Sequence, residues 1–282
     1  MESGPVTALP LAEQLWLIQG VGSNVVVLET AEGLALVDSG APEYAEALLE
    51  FIDTAFDGAP IRVLFNTHWR PSHSGANEQI GARGATIIAH ENTRQWMSTE
   101  YYVEWEKKDY TPRPDVALPT ETFFSSDPQP LSYELGGVSI EYGHLAEAHT
   151  DGDIYVRFVD ANVIAVGGVL AAGGFPMLDY STGGWIGGAQ EATRRLIEMT
   201  GPDTVVVAGD GLPQGKAALE AQRVLLDELR DRMRVYMNEG KSIDEILAEN
   251  ILAGYESLSD PRQFIANVYN GLWWGGRLRG PI

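Results

Sequence analysis

The grouping of its apolar runs most constrains what this chain can fold into. Three short runs, "LWLIQG", "NVVVLET" and "GLALVDSG", follow one another within the first forty residues, separated by Gly and Ser turns. Runs of this length between turn residues read as strands. A helix is expected from about Pro42 to Phe56, because Pro suits a first helical turn and Ala45, Leu48, Leu49 and Ile52 recur at helical spacing. A buried strand, "IRVLFNT", follows, then "GATIIAH", a helix expected to carry Trp96 and Trp105, and a Pro-rich loop, "DYTPRPDVALPTETF". A second block repeats the pattern with "LSYEL", "VSIEYGHL", "DIYVRFV" and "NVIAVGG", followed by helices from about Ala189 to Thr200 and Ala217 to Met237 around the strand "TVVVAGD". Two blocks of adjacent strands, each accompanied by helices, predict an α/β fold of two mixed β-sheets flanked by helices, an αββα sandwich. The 282 residues are expected to form one such domain, with a helical C-terminal extension over about 213–282.

Chemistry is expected on the loops that end the apolar strands at Asp38, Thr67, Gly167 and Asp210. One of them, "FNTHWRPSHSG", carries His68 and His73, two of the chain's five histidines. There are no cysteines, so any metal must be held by His, Asp or Glu. Between the two histidines stand Arg70, which has no lone pair to offer, and Ser72. Forty acidic against nineteen basic residues give a net charge of -21, which argues against nucleic acid and anionic membranes as partners. No apolar run approaches the length of a membrane helix, and "MESGPVTALPLAEQ" lacks the basic and apolar regions of a signal peptide. A soluble protein, cytoplasmic unless a signal was removed, is the expectation.

Five motifs in order, "LVDSG", "NTHWRPSHSGANE", "HLAEAHTDGD", "NVIAVGGVL" and "VVVAGDGLP", carry a resemblance to the metallo-β-lactamase superfamily, in particular its stand-alone hydrolase-like proteins. The resemblance runs from about Leu15 through the C-terminal helices. It implies the αββα fold and a small-molecule substrate. It also implies that the family's seven metal-ligand positions fall on His68, Arg70, Ser72, His73, His149, Gly168 and Asp210. Only the three histidines keep a family ligand type. His68 and His149 would share one metal site with the position of Arg70, and His73 the other with those of Ser72 and Asp210. Gly168 stands where the family has a bridging carboxylate, so a standard dinuclear centre is not expected.

Three readings stand open. In the first, a divergent hydrolase-like enzyme acts on a small ester, lactone or amide without the dinuclear centre. Arg70 stabilises developing negative charge, Asp210 is its counter-ion, and His68 and His149 serve as acid and base. In the second, the fold is kept as a non-catalytic ligand-binding protein. In the third, His68, His73 and His149, with Asp210 after rearrangement, hold a single Zn, Mn or Fe. Trp69, Ser72 and His73 are the expected substrate contacts, and Trp96, Trp105 and Trp185 further candidates for an apolar mouth.

Other residues have structural expectations. Asp38 reads as a turn or supporting residue, His144 as a satisfied strand histidine, His90 as a helix-entry residue, and Ser72 as a small loop residue rather than a nucleophile. The glycines of "VGSN", "GGFP" and "STGGWIGG" lack the context of a phosphate loop. The tail "NVYNGLWWGGRLRGPI" is a candidate to cover the pocket or dock a second subunit, which leaves a homo-oligomer open.

Overall fold

A computed structural model describes residues 5–124, 129–255, 257–258 and 261–279, with side chains up to Trp273 in the last helix. The first sheet is built from β1 (Thr7–Ala12), β2 (Leu15–Gln19), β3 (Val25–Thr30), β4 (Gly33–Val37), β5 (Ile61–Phe65) and β6 (Thr86–His90). Between β4 and β5 a single 3-10 turn at Pro42–Tyr44 leads into α1 (Ala45–Ala55). α2 (Asn77–Ala82) separates β5 from β6, and α3 (Glu91–Ser98) follows. β7 (Tyr101–Val103) and β8 (Lys108–Tyr110) form a separate hairpin, and β9 (Glu121–Phe123) returns to the edge of the sheet. The strand order is β1-β2-β3-β4-β5-β6-β9, antiparallel from β1 to β4 and parallel beyond it.

The second sheet contains β10 (Leu131–Leu135), β11 (Val138–His144), β12 (Ile154–Phe158), β13 (Val163–Gly167) and β14 (Val205–Ala208), in that order. Only its last pair, β13 with β14, is parallel, and α4 (Ile186–Met199) supplies the crossover between them. α5 (Lys216–Asn238), α6 (Ile243–Ala248) and α7 (Pro261–Arg279) complete the chain.

Alternation of side chains along each strand explains the layers. In β4, Ala35 and Val37 face the second sheet, packing with Val156, Phe158 and Ala165, while Leu34 and Leu36 point outward to Leu48 and Ile52 of α1. In β13, Val163 and Ala165 face inward, whereas Ile164 and Val166 meet Ala192 and Leu196 of α4. This is the expected αββα sandwich. A further apolar cluster joins α4 and α5 to α7 through Leu226, Leu229, Phe264 and Ile265.

Two local expectations are corrected. Trp96 lies on α3, but Trp105 lies in the turn between β7 and β8, because the helix ends at Ser98. The Pro-rich stretch contains β8, a 3-10 turn at Asp115–Ala117 and β9. Among the described residues, no helix is long and apolar enough to cross a membrane.

Candidate functional site

The loops after β4, β5, β13 and β14 meet at one end of the sandwich. Asp38 ends β4 with φ 61°, a left-handed conformation that Asp tolerates better than most side chains. There its buried carboxylate receives the Thr67 N–H at 2.8 Å and the Thr67 hydroxyl at 2.7 Å. Burial pushes the Asp38 carboxyl up to about 7, although both Thr67 bonds oppose the shift. The segment after β5 is clamped to the same loop. Ser39 N–H donates to the His73 carbonyl at 2.7 Å, and Gly75 N–H to that of Gly40 at 2.8 Å. A Cβ on Gly75 would collide with the backbone of Ala41 and Pro42.

This clamp brings three imidazoles together. The His68 ring centroid lies 4.4 Å from that of His73 and 4.6 Å from that of His149. Each ring is engaged through Nδ1. His68 meets Thr67 Oγ1 at 2.8 Å, His73 meets Ser72 Oγ at 2.9 Å, and His149 meets Asp153 Oδ1 at 3.4 Å. The hydroxyl of Thr67 donates to Asp38, so it accepts from His68 Nδ1–H, which leaves a lone pair on His68 Nε2. The Nε2 atoms of His68 and His73 are buried and have no hydrogen-bond partner among the described residues. Burial, then the rings of His73 and His149 and the Arg70 guanidinium, hold the His68 imidazole well below the ordinary histidine value. His73 is pushed down to about 3, by burial first and His149 next. Both shifts favour the neutral imidazole, the form that binds a metal.

Ser72 Oγ does reach its neighbour His73, but so depressed an imidazole is a weak base for activating a hydroxyl.

Arg70 is only 6% exposed and points into a cage of its own. Nη1 donates to Glu106 at 2.6 Å and Nη2 to Asp179 at 2.8 Å. The guanidinium lies 5.0 Å from the centroid of Trp69 and 5.1 Å from that of Trp105. Burial works against its charge, but Asp179 and Glu106 outweigh that and hold its pKa above the ordinary arginine value. The fully buried Asp179 also accepts from Trp105 Nε1 at 2.9 Å and Thr182 Oγ1 at 2.7 Å.

The expected counter-ion, Asp210, is therefore corrected. It stands exposed at the cavity rim, because Gly209 lies between it and β14 and the neighbouring carbonyls of Gly209 and Gly211 are bound by Asn24. Trp69, expected to touch substrate, is buried beneath the loop against Tyr101 and Tyr110 and donates to Thr182 Oγ1. Trp96 and Trp185 are engaged by Asp151 and Glu147. Trp105 alone of the four lines the cavity. His90 caps α3, accepting the Asn92 N–H, and stacks on His144, as their structural roles predict.

The cavity has a volume of about 580 Å³. His68, His73, His149 and Ser72 lie on one side. The lining also takes in the segment after β13, around Phe175 and Met177, and Phe264 of α7. Sequence reasoning named neither Glu106 nor Asp179, although a buried Arg70 required an acidic partner. It pointed to α7 only through its aromatic tail, whose residues beyond Trp273 have no described side chains.

A family model described as the metallo-beta-lactamase superfamily matches residues 18–237, most of the chain. The chain belongs to the metallo-beta-lactamase superfamily. It is similar in structure to a metallo-beta-lactamase from Pontibacter korlensis, with 21% identity, a TM-score of 0.62, and coverage of 79% of this chain and 99% of that one. It is also similar to a stereoselective inverting sec-alkylsulfatase from a Pseudomonas species, with 16% identity, a TM-score of 0.73, and coverage of 98% of this chain and 52% of that one. Identities this low speak for the shared fold. A search of the curated proteins found no match.

The superfamily usually binds zinc, and the residues present can be tested against it. Three positions that would serve a paired centre are occupied differently. Arg70 is bound in its acidic cage, and Asp210 is at the rim. A Cβ on Gly168 would fall 2.6 Å from His149 Nδ1, where the imidazole takes up the room a bridging carboxylate needs. A single ion does fit the chemistry of the donors. His68, His149 and Asp153 offer ligand atoms within 4.8 Å of one another. Asp153, however, already accepts the N–H groups of His149 and Thr150 at 2.6 and 2.7 Å, so it serves as the support of His149. His73 is the third imidazole beside them, its ring centroid 4.4 Å from that of His68.

Proposed function

We propose that this protein is a hydrolase acting on a small ester, lactone or amide, with one divalent transition-metal ion held by His68, His73 and His149. The observation that carries the proposal is the meeting of three imidazoles, each engaged at Nδ1, with unpartnered Nε2 atoms on two of them. Neutral imidazoles restrained at the second nitrogen are the usual ligands of zinc and suit iron as well, with manganese the harder alternative. Such an ion, when bound, supplies Lewis acidity toward a substrate carbonyl oxygen.

The chain's own residues set up the rest. Asp38, through Thr67, keeps the His68 lone pair on Nε2, and Asp153 fixes the ring of His149. Arg70 ties the β7–β8 turn and the turn at Asp179 to the histidine loop, so its charge goes to Glu106 and Asp179 rather than to a developing oxyanion. That removes the central group of the metal-free scheme. Asp210, the carboxylate lining the same cavity, is the proposed proton acceptor.

The test is metal analysis by mass spectrometry on protein purified without chelator after growth with added zinc, alongside hydrolysis of neutral aryl esters. About one ion per chain, lost in His68→Ala and His149→Ala together with turnover, is expected. Two ions per chain would overturn the single-ion reading. A metal-free, inactive preparation would return the protein to the ligand-binding reading.

A further inference from the structure

The charge and lining of the cavity bear on what enters it. Arg70 is the only Lys or Arg among the described lining residues; Glu106 and Asp179 engage its two Nη groups and balance its charge, and its Nε is buried without a hydrogen-bond partner among the described residues. The remaining ionisable side chains among the described lining residues are the three histidines and the acidic Asp210. No free cation among the described lining residues is placed to receive an anionic group. The other polar side chains on the wall are uncharged. They are Ser72 and, on α7, Gln263 and Asn267, whose amides bond to each other at 2.8 Å.

Part of the lining is apolar. Phe175 and Phe264 stack with centroids 4.6 Å apart and an interplanar angle of 16°. Pro176 is buried beside them, and Met177 is 42% exposed at the edge. Phe264 comes from α7, beyond residue 237 where the family match ends. This wall is therefore contributed in part by chain outside the family match.

We infer that the cavity selects an uncharged ester, lactone or amide with an apolar or aromatic body seated against the Phe175–Phe264 pair, and that α7 is its specificity wall. The inference rests on the proposed hydrolase reading for the reacting group; the preference for an uncharged apolar body follows from the lining. A carboxylate seated against the Phe175–Phe264 pair, away from an ion held at the histidines, would give up its hydration without a cation among the described residues there to replace it.

The probes are butyranilide and succinanilic acid, which differ only in a terminal methyl against a terminal carboxylate. Binding of each to the full chain is measured by titration calorimetry, before and after chelator treatment, and metal content is determined on the same samples. Butyranilide is expected to bind at least about tenfold more tightly, the scale set by an uncompensated charge against an apolar group. Phe264→Leu keeps the helix contact filled but removes the ring, and is expected to weaken butyranilide about threefold or more. Met177→Lys places a cation at an exposed rim position and is expected to strengthen succinanilic acid about tenfold while leaving the fold intact. Equal or tighter binding of succinanilic acid by the unaltered protein, or binding of neither probe at millimolar concentration, overturns the inference. If Phe264→Leu fails to fold, Met177→Lys still decides; no gain for the acid there overturns it as well. A metal-free protein that keeps the preference counts against the hydrolase reading alone. A metal-loaded protein that prefers the acid counts against this inference alone.

Discussion

Replacing Arg70 with Met keeps a side chain of similar length but removes the charge shared by Glu106 and Asp179. The two carboxylates respond differently. Glu106 has a side chain 19% exposed and gains water by a small rotation, whereas that of Asp179 is 0% exposed. Asp179 would keep its bonds from Trp105, Thr182 and Ser181, none of which carries a charge. Removing one partner of a buried ion pair costs about 3 to 5 kcal/mol, chiefly because the other charge stays buried. Arg70→Met is therefore expected to lose about 3 to 5 kcal/mol in urea unfolding at pH 7, read from the midpoint at unchanged slope. Adding Asp179→Asn removes the stranded charge and should recover about 2 kcal/mol, a non-additivity typical of directly coupled pairs. A single variant within about 1 kcal/mol of the unaltered protein, or strict additivity in the pair, would refute this account of the cage. Full stability combined with lost turnover would restore the oxyanion role for Arg70.

Other perturbations test separate parts of the structure. His90 is held at about 3 by burial and then by His144, below its ordinary 6.5, so the unfolded chain takes up a proton that the folded chain refuses as pH falls between those values. Its contribution to stability is complete above 6.5 and declines on acidification by about 1.4 kcal/mol per pH unit. His90→Asn keeps an acceptor for the Asn92 N–H and should flatten the stability profile from pH 6.5 to 4; parallel profiles would contradict the burial argument. Gly168→Asp should cost about 1 to 3 kcal/mol by crowding His149, and lower metal content. Gly75→Ala pushes the histidine loop away from Ala41 and Pro42, and faster hydrogen exchange over residues 66–76 should report it.

Much of the scaffold is legible in the sequence because its determinants are local. Alternation in "GLALV" places Leu34 and Leu36 on one face and Ala35 and Val37 on the other, and the spacing of Leu48, Leu49 and Ile52 gives α1 a face to meet them. The motif at residues 66–78 and the altered positions at Arg70, Ser72, Gly168 and Asp210 are likewise readable residue by residue. The three histidines expected to remain as ligands do come together.

The sequence could not assign the neighbours of those residues. Arg70 needs an acid, and the chain offers forty; its partners lie 36 and 109 residues away, with no periodicity to single them out. Trp69 and Trp105 look alike as aromatics near a loop, yet one is buried under the site and the other lines its cavity. Phe264 reaches that cavity only because α7 packs back across α4 and α5. The sequence alone determined the sandwich and the family. The tertiary structure alone decided that Arg70 is neutralised by Glu106 and Asp179 and that α7 walls the cavity. Strand and helix patterning act within a few residues, whereas charge pairing and cavity shape depend on through-space distances fixed only when the layers pack.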